Sequence, residues 1–83
     1  MTVVQPTLLD EITDFLASSP APQAIIDFQP SKALTHRALE LLQANRENRL
    51  TPEDRAEMDE FMRMEHFMTL LKAKARLKLA NQS

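Results

Sequence analysis

Apolar residues recur at helical spacing in three segments of the chain, and the first follows Thr7. Thr7 can cap a helix, and Asp10 stands three residues on, as the acid of a capping box does. The apolar positions are then Leu8, Leu9, Ile12, Phe15 and Leu16. This pattern predicts a helix over residues 8–17 with one apolar face.

Three prolines interrupt the next segment, residues 18–30, at Pro20, Pro22 and Pro30. They exclude a long regular element. Apolar residues nevertheless stand between them, which predicts a Pro-rich connector packed on the core. We expect one short helical turn here, with Ser19 as its cap and Pro20 at its first position.

The helical pattern resumes at Ser31, and a second amphipathic helix is predicted over about 32–45. Its apolar face is expected to carry Leu34, Ala38, Leu41 and Leu42. Off this face, His36 has Glu40 one turn later, a spacing typical of an exposed pair of small energetic weight.

The sharpest local signal is Thr51-Pro52-Glu53-Asp54. Thr51 can cap a helix, Pro52 suits the first helical position, and the two acids lie near the exposed N–H groups. No strong breaker follows, so a helix is predicted over about 52–79, roughly 42 Å long. Residues 80–83 are expected to form a disordered tail. A short connection makes this long helix the antiparallel neighbour of the second one.

The expected fold is therefore all-α: a helical hairpin of a medium and a long helix, an N-terminal helix and the Pro-rich connector. Because the chain has 83 residues, residues 1–83 are expected to form one small domain. A core of this size gives marginal stability, which favours a homo-oligomer. The sequence contains no glycine, and Asn48 is among the substitutes expected where a turn needs positive φ.

Two apolar stripes run along the predicted long helix at a rotation of about 100° per residue. The main stripe, assigned to the core or to a coiled-coil-like seam, comprises Phe61, Met64, Met68, Leu71, Ala75 and Leu79. A weaker stripe on another side comprises His66, Leu70, Ala73 and Leu77, with Phe67 between the two. Either the other elements wrap this helix completely, or another chain covers what they leave. We favour another chain, bound through Phe61, Met64, Phe67, Met68, Leu70, Leu71, Ala75 and Leu77.

Candidate chemistry is scarce. The chain has no cysteine, which removes disulfides, thiolate metal sites and cysteine nucleophiles, and no Gly-rich phosphate loop is possible. Around His66 the positions one turn away hold no convincing metal ligand. The acids at the front of the long helix are expected to form ordinary pairs, Arg55 with Asp59 and Asp59 with Arg63. We expect a non-enzymatic protein with no cofactor and no metal site.

Charge is distributed unevenly, although the net charge is only −2. Acids without bases occupy residues 1–30, whereas Lys72, Lys74, Arg76 and Lys78 stand without acids in residues 67–83. Cations near a helix C-terminus also complement the helix dipole. They could contact nucleic acid phosphates, but on a helical wheel they spread over most of the circumference, so nucleic-acid binding is the minor alternative.

No stretch approaches the roughly 20 apolar residues of a membrane span, and no basic residue precedes an apolar run in the first thirty residues. We therefore expect no membrane association and a cytoplasmic location.

Several segments resemble a family of short, uncharacterised helical proteins from bacteria, largely cyanobacteria. The resemblance covers roughly residues 24–79 and rests on Phe28-Gln-Pro-Ser31, Ala38-Leu-Glu-Leu-Leu42, Asn45-Arg46, Leu50-Thr-Pro-Glu-Asp54, Met58-Asp-Glu-Phe61, Arg63-Met-Glu-His66 and Leu71-Lys-Ala-Lys-Ala-Arg76. Members of that family often carry glycine where this chain has Asn48. They occur near genes for nucleases or toxin-like proteins, which implies an antitoxin-like role and identifies no catalytic residue.

These observations lead to one main expectation and two alternatives. The main expectation is a helical protein–protein interaction module that covers a partner's surface with the long helix, as the antitoxin-like partner of a toxin or nuclease. The first alternative is a dimeric DNA-binding regulator that uses the basic C-terminal half of the helix. The second is a self-assembling structural protein with no other partner.

Overall fold

The computed structural model describes residues 7–82, and within that range it contains four helices and no strand. They are α1 (Leu8–Ala17), α2 (Pro22–Ile26), α3 (Lys32–Arg46) and α4 (Pro52–Asn81). The predicted all-α class is confirmed, and α1, α3 and α4 match their predicted bounds to within two residues. Helix α4 includes Ala80 and Asn81, which the sequence analysis placed in a disordered tail. Ser83, the last residue of that tail, lies outside the described residues.

Threonine caps begin both α1 and α4, and each forms a complete capping box. At α1 the Asp10 N–H donates to Thr7 Oγ1 at 3.1 Å, and the Thr7 N–H donates to Asp10 Oδ2 at 3.0 Å. At α4 the Asp54 N–H donates to Thr51 Oγ1 at 3.0 Å, and the Thr51 N–H donates to Asp54 Oδ2. These bonds satisfy N–H groups that have no partner inside a helix, and so they fix where α1 and α4 start.

The connector contains the expected short helix, but the predicted start of that helix is wrong. Helix α2 begins at Pro22 with Ala21 as its N-cap residue, not at Pro20 with Ser19. The reason lies in the end of α1, where the Ser19 N–H donates to the Leu16 carbonyl and Ser19 adopts φ 55°. A left-handed residue that closes one helix cannot take the extended backbone of an N-cap for the next.

The link between α3 and α4 turns at Asn48, which has φ 56°. Here the Arg49 N–H donates to the Ala44 carbonyl at 2.8 Å, and the Asn48 N–H donates to the Asn45 carbonyl at 3.2 Å. This pair of bonds is a Schellman motif, in which the left-handed position is usually glycine and sometimes asparagine. The expectation that Asn48 replaces a glycine is confirmed.

The main core lies between the inner face of α4 and the elements packed on it. Its buried members are Leu8, Ile12, Leu34 and Met68, and Leu16, Phe28, Phe61, Met64 and Leu71 pack against them. The ring of Phe28 also contacts that of Phe15 in a tilted arrangement, with 4.8 Å between the ring centroids. The main apolar stripe predicted for α4 therefore does face the core. Ala75, on the same side of α4, is also buried.

Helix α3 buries a narrower face than predicted. Leu34 and Leu41 are buried, but Leu42 is 45% exposed. Residues seven apart point in nearly the same direction, whereas Leu42 is rotated by about 100° from Leu41. The side of α3 that meets the rest of the molecule is centred on Leu34 and Leu41, and the assignment of Leu42 to the buried face is therefore wrong.

The described chain measures 49 × 32 × 18 Å. A helix with its side chains is about 10 Å across, so the thinnest dimension holds two layers of helix. Helices α1, α2 and α3 form one layer and α4 forms the other. The first of the two outcomes considered for α4, complete wrapping by the rest of the chain, is not what the described residues show.

Candidate protein-interaction surface

One side of α4 points away from the core and is largely apolar between residues 62 and 77. We call this the outer face, and it comprises Met62, His66, Leu70, Ala73 and Leu77. Met62 is 60% exposed, Leu70 53% and Leu77 64%. Scattered apolar residues are normal on a protein surface, but a continuous line over four helical turns indicates an interaction site.

The predicted contact residues separate into two groups. Met68 and Ala75 are buried within the chain itself, while Phe61, Met64 and Leu71 are half-buried on the same inner face. Those five positions already pack in the fold and leave little surface for another chain. The exposed group, with Phe67 at the edge of the outer face, comprises Phe67, Leu70 and Leu77.

The predicted contact set omits Met62, although its spacing indicates that Met62 lies on the same side of the helix. Met62 stands four residues before His66 and so continues the spacing of the second stripe by one turn. Its thioether side chain is flexible and polarizable, which suits an adaptable contact. The outer face therefore starts one turn earlier than that stripe suggested.

The four C-terminal cations have different surroundings. Lys72 is half-buried, and its Nζ donates to the Phe28 carbonyl at 2.9 Å, which ties the connector to α4. Lys74, Arg76 and Lys78 are exposed and form no ion pair or side-chain hydrogen bond with any other described residue. They leave the helix in different directions, as expected from their spacing, and one of the four is already engaged within the fold.

An ion-pair cluster that the sequence did not reveal joins α3 to the start of α4. Arg37 donates through Nε and Nη2 to the two carboxylate oxygens of Glu57, both at 2.9 Å, and through Nη2 to Asp54 at 3.0 Å. The bonds to Glu57, and then those to Asp54, raise the pKa of Arg37. The pKa of Asp54 is lowered, first by the Thr51 backbone N–H and then by Arg37.

The ion pairs predicted within α4 are not formed among the described residues. Neither Arg55 with Asp59 nor Asp59 with Arg63 makes a salt bridge. The acids at the start of α4 are used by α3 instead, through Arg37. The predicted pair of His36 with Glu40 is present, exposed, with 3.1 Å between Nδ1 and Oε1.

A groove of about 490 Å³ lies where α1 and α3 meet the front of α4. Its walls are Thr7, Leu8, Leu34, Arg37, Ala56, Glu57, Glu60 and Phe61. Two of its charged groups, Arg37 and Glu57, are paired with each other. Within residues 7–82 no group of three or more acidic, His or Cys side chains could hold a metal ion, and no buried polar side-chain atom is without a hydrogen bond.

Comparisons of the chain with protein-family models, curated proteins and solved structures found no match. In residues 7–82 no helix combines the length and the apolar character needed to cross a membrane. The outer face of α4 is therefore the feature of the described structure with the clearest functional implication.

Proposed function

We propose that this protein is a non-enzymatic helical interaction module that covers an apolar surface of another polypeptide chain with the outer face of α4. The observation that supports this is the line of exposed apolar side chains opposite the core. Leu70 and Leu77 are the leucines of α4 with the largest exposed fractions. The rest of the protein packs on the other side of α4.

Burial of this face would supply useful binding energy. Completely burying a leucine side chain contributes about 2 kcal/mol, and Leu70 and Leu77 both have more than half of their surface free. Met62 and Phe67 add further apolar area on either side. The positions lie on a preformed helix, so little conformational entropy is lost when a partner binds.

The resemblance to short bacterial helical proteins encoded near nuclease and toxin-like genes suggests the partner. On that basis the protein is antitoxin-like, works in the cytoplasm, and binds a toxin or nuclease. Self-association through the same face is the alternative within this class of function.

Co-purification tests the proposal. The tagged chain is co-expressed with the products of neighbouring genes, and the complex is compared among wild type, Leu70→Glu and Leu39→Glu. Leu39 is 59% exposed on α3 and provides the same substitution at a similar exposure away from the outer face. We expect Leu70→Glu to abolish a complex that Leu39→Glu preserves. A complex that survives Leu70→Glu, or no complex of any kind including a homodimer, contradicts the proposal.

A DNA-binding regulator is the second candidate, and the observation in its favour is that Lys74, Arg76 and Lys78 are exposed and form no ion pair within residues 7–82. A mobility-shift assay at two salt concentrations separates it from the first. Phosphate contacts would give a shift at low salt that weakens steeply at higher salt and is lost when the three cations are replaced by alanine. The absence of a shift at low salt eliminates this candidate.

A further inference from the structure

We infer that the outer face of α4 accepts an acidic amphipathic helix of a different protein, whose carboxylates stand beside its apolar line. This inference rests on the proposed function, because it states the chemistry of the partner for the same face. It is carried by the charges that surround the outer face and by where they lie on the helix.

The part of α4 that holds the outer face is strongly basic. Residues 62–81 contain one acid, Glu65, and five basic residues, which are Arg63, Lys72, Lys74, Arg76 and Lys78. A second copy of this chain brings the same charges to the contact, and like charges across an interface repel each other. Charge therefore favours a partner of the opposite sign over self-association.

Three of these cations lie along one edge of the outer face, and we call them the basic edge. At a rotation of about 100° per residue, Lys74 lies about 40° and Lys78 about 80° from Leu70, both to the same side, with Phe67 between them. Arg63 extends this edge toward the start of α4, about 20° from Leu70 on that side. All three cations are exposed.

The opposite edge of the outer face carries no net charge. Arg76 and Glu65 lie on that side, about 20° apart around the helix, and their charges offset each other. A helix that covers the outer face therefore meets positive charge along one side of its apolar line. The carboxylates of the partner are expected along that side.

Neither a partner within the fold nor the helix dipole accounts for the basic edge. Its three cations form no salt bridge with any residue in the range 7–82. Cations in the last turn of a helix complement its dipole, and Lys78 stands there. Lys74 lies about two turns before the end of α4 and Arg63 further still, beyond the reach of that effect.

An acidic helix fits these positions better than an anionic membrane or a nucleic acid does. A helix on a bilayer sinks its apolar face about 5–10 Å into the lipid boundary, and Arg63 and Lys74, next to Leu70, would sink with it. A phosphate backbone offers no apolar surface to Leu70 and Leu77. A helix with carboxylates beside its apolar line matches the leucines and the cations together, as flanking charges do in paired helices.

Two synthetic peptides test the inference with the purified full chain. Both have about 25 residues, with leucines at helical intervals of three and four on an alanine background. One carries glutamate beside the leucines and the other carries lysine, and binding is measured by fluorescence anisotropy. At about 50 mM salt we expect the glutamate peptide to bind at least about tenfold more tightly, with a smaller preference at about 500 mM. Equal affinities, tighter binding of the lysine peptide, or no binding of either peptide overturns the inference.

Reversing the basic edge is expected to reverse this preference. The double variant Lys74→Glu, Lys78→Glu should bind the lysine peptide more tightly than the glutamate peptide. The control is Lys32→Glu, Arg46→Glu, which changes the net charge equally at two exposed positions on α3 and should keep the wild-type preference. All four positions are exposed, so circular dichroism is expected to show unchanged helix content. If both double variants shift the preference alike, net charge explains the binding and the inference fails.

Competition distinguishes the acidic helix from the other anionic partners. Phosphatidylglycerol vesicles, duplex DNA and unlabelled glutamate peptide are each added to the complex with the labelled glutamate peptide. We expect the unlabelled peptide to displace it at the lowest concentration of negative charge. Displacement by vesicles or by DNA at a lower concentration overturns the inference.

The outcomes also separate this inference from the proposed function. A complex with the product of a neighbouring gene that is lost in Leu70→Glu, but unchanged in Lys74→Glu, Lys78→Glu, supports the interaction module and overturns the acidic partner. If Leu70→Glu weakens neither that complex nor the binding of the glutamate peptide, both fail together.

Discussion

Thr51 contributes to stability through a single side-chain oxygen at the start of the longest helix. Replacing it with alanine leaves the Asp54 N–H without its partner and removes the extended cap that the capping box holds in place. We expect Thr51→Ala to lower the free energy of unfolding by about 1 kcal/mol, measured by urea denaturation. Thr51→Ser keeps the hydroxyl and is the control. Equal stability of the two variants would show that the cap contributes nothing.

Arg37 joins α3 to α4 and makes part of their association depend on pH. Because Asp54 has a lowered pKa in the folded state, its stabilising effect is present above its ordinary value of 3.8 and is lost as the pH falls through the lowered one. Replacing Arg37, a third of which is exposed, with glutamine is expected to lower the free energy of unfolding by about 0.5–1 kcal/mol at pH 7. The difference from wild type should shrink at pH 3.

The control for Arg37 is Arg55→Gln, since Arg55 carries the same charge near the start of α4 and forms no ion pair within residues 7–82. We expect it to have little effect at either pH. If the two variants behave alike, net charge explains the change and the ion-pair cluster does not.

At the scale of elements, the two sides of α4 are expected to differ in how well they accept a larger side chain. Ala73 and Ala75, two residues apart, allow the two sides to be compared. Ala75 is 3% exposed on the inner face, whereas Ala73 lies on the outer face. We expect Ala75→Leu to lower the free energy of unfolding by about 1–3 kcal/mol through overpacking against the inner layer. Ala73→Leu is the control and should change it by less than about 0.5 kcal/mol.

Both alanine variants are best measured by urea denaturation in the Leu70→Glu background, so that association does not contribute to either value. Equal costs at the two positions would mean that the inner layer does not pack closely on α4 around Ala75.

The ends of the elements could be predicted from the sequence because caps act over three or four residues. Thr7 with Asp10, Thr51 with Pro52, and Asn48 as a glycine substitute each carry a local signal that no distant residue overrides. The prediction of where α2 starts failed because Pro20 and Pro22 fit the first helical position equally well. Only the left-handed Ser19, determined by how α1 ends, decides between them.

Contacts between elements were less accessible from the sequence. The inner face of α4 was predicted because its apolar stripe is continuous. The exposure of Leu42 and the partners of Asp54, by contrast, depend on how α3 is rotated against α4. Arg37 and Glu57 are 20 residues apart, and nothing in a local pattern pairs them. The outer face was predicted only as a weaker apolar stripe. The spacing of its residues shows that this side of α4 is apolar, but it does not show that the side is exposed.

For the whole molecule, self-association through the outer face, which is the alternative within the proposed class of function, would make thermal stability depend on protein concentration. A partner that binds only the folded state raises the melting temperature by mass action. For a chain of this size we expect a rise of about 3–5 °C for each tenfold increase in concentration, followed by scanning calorimetry. Leu70→Glu should melt at the same temperature throughout, and Leu39→Glu should behave as wild type. A wild-type melting temperature that is constant with concentration would contradict self-association.

The two-layer arrangement, with the core on one side of α4 and the outer face on the other, separates two kinds of position along a single helix. Positions such as Met68 and Ala75 are constrained by folding, whereas Leu70 and Leu77 can change without cost to the fold. Each turn of α4 contains residues of both kinds. Substitutions at a few alternating positions can therefore change the chemical character of the outer face over generations, while the body that presents it stays the same.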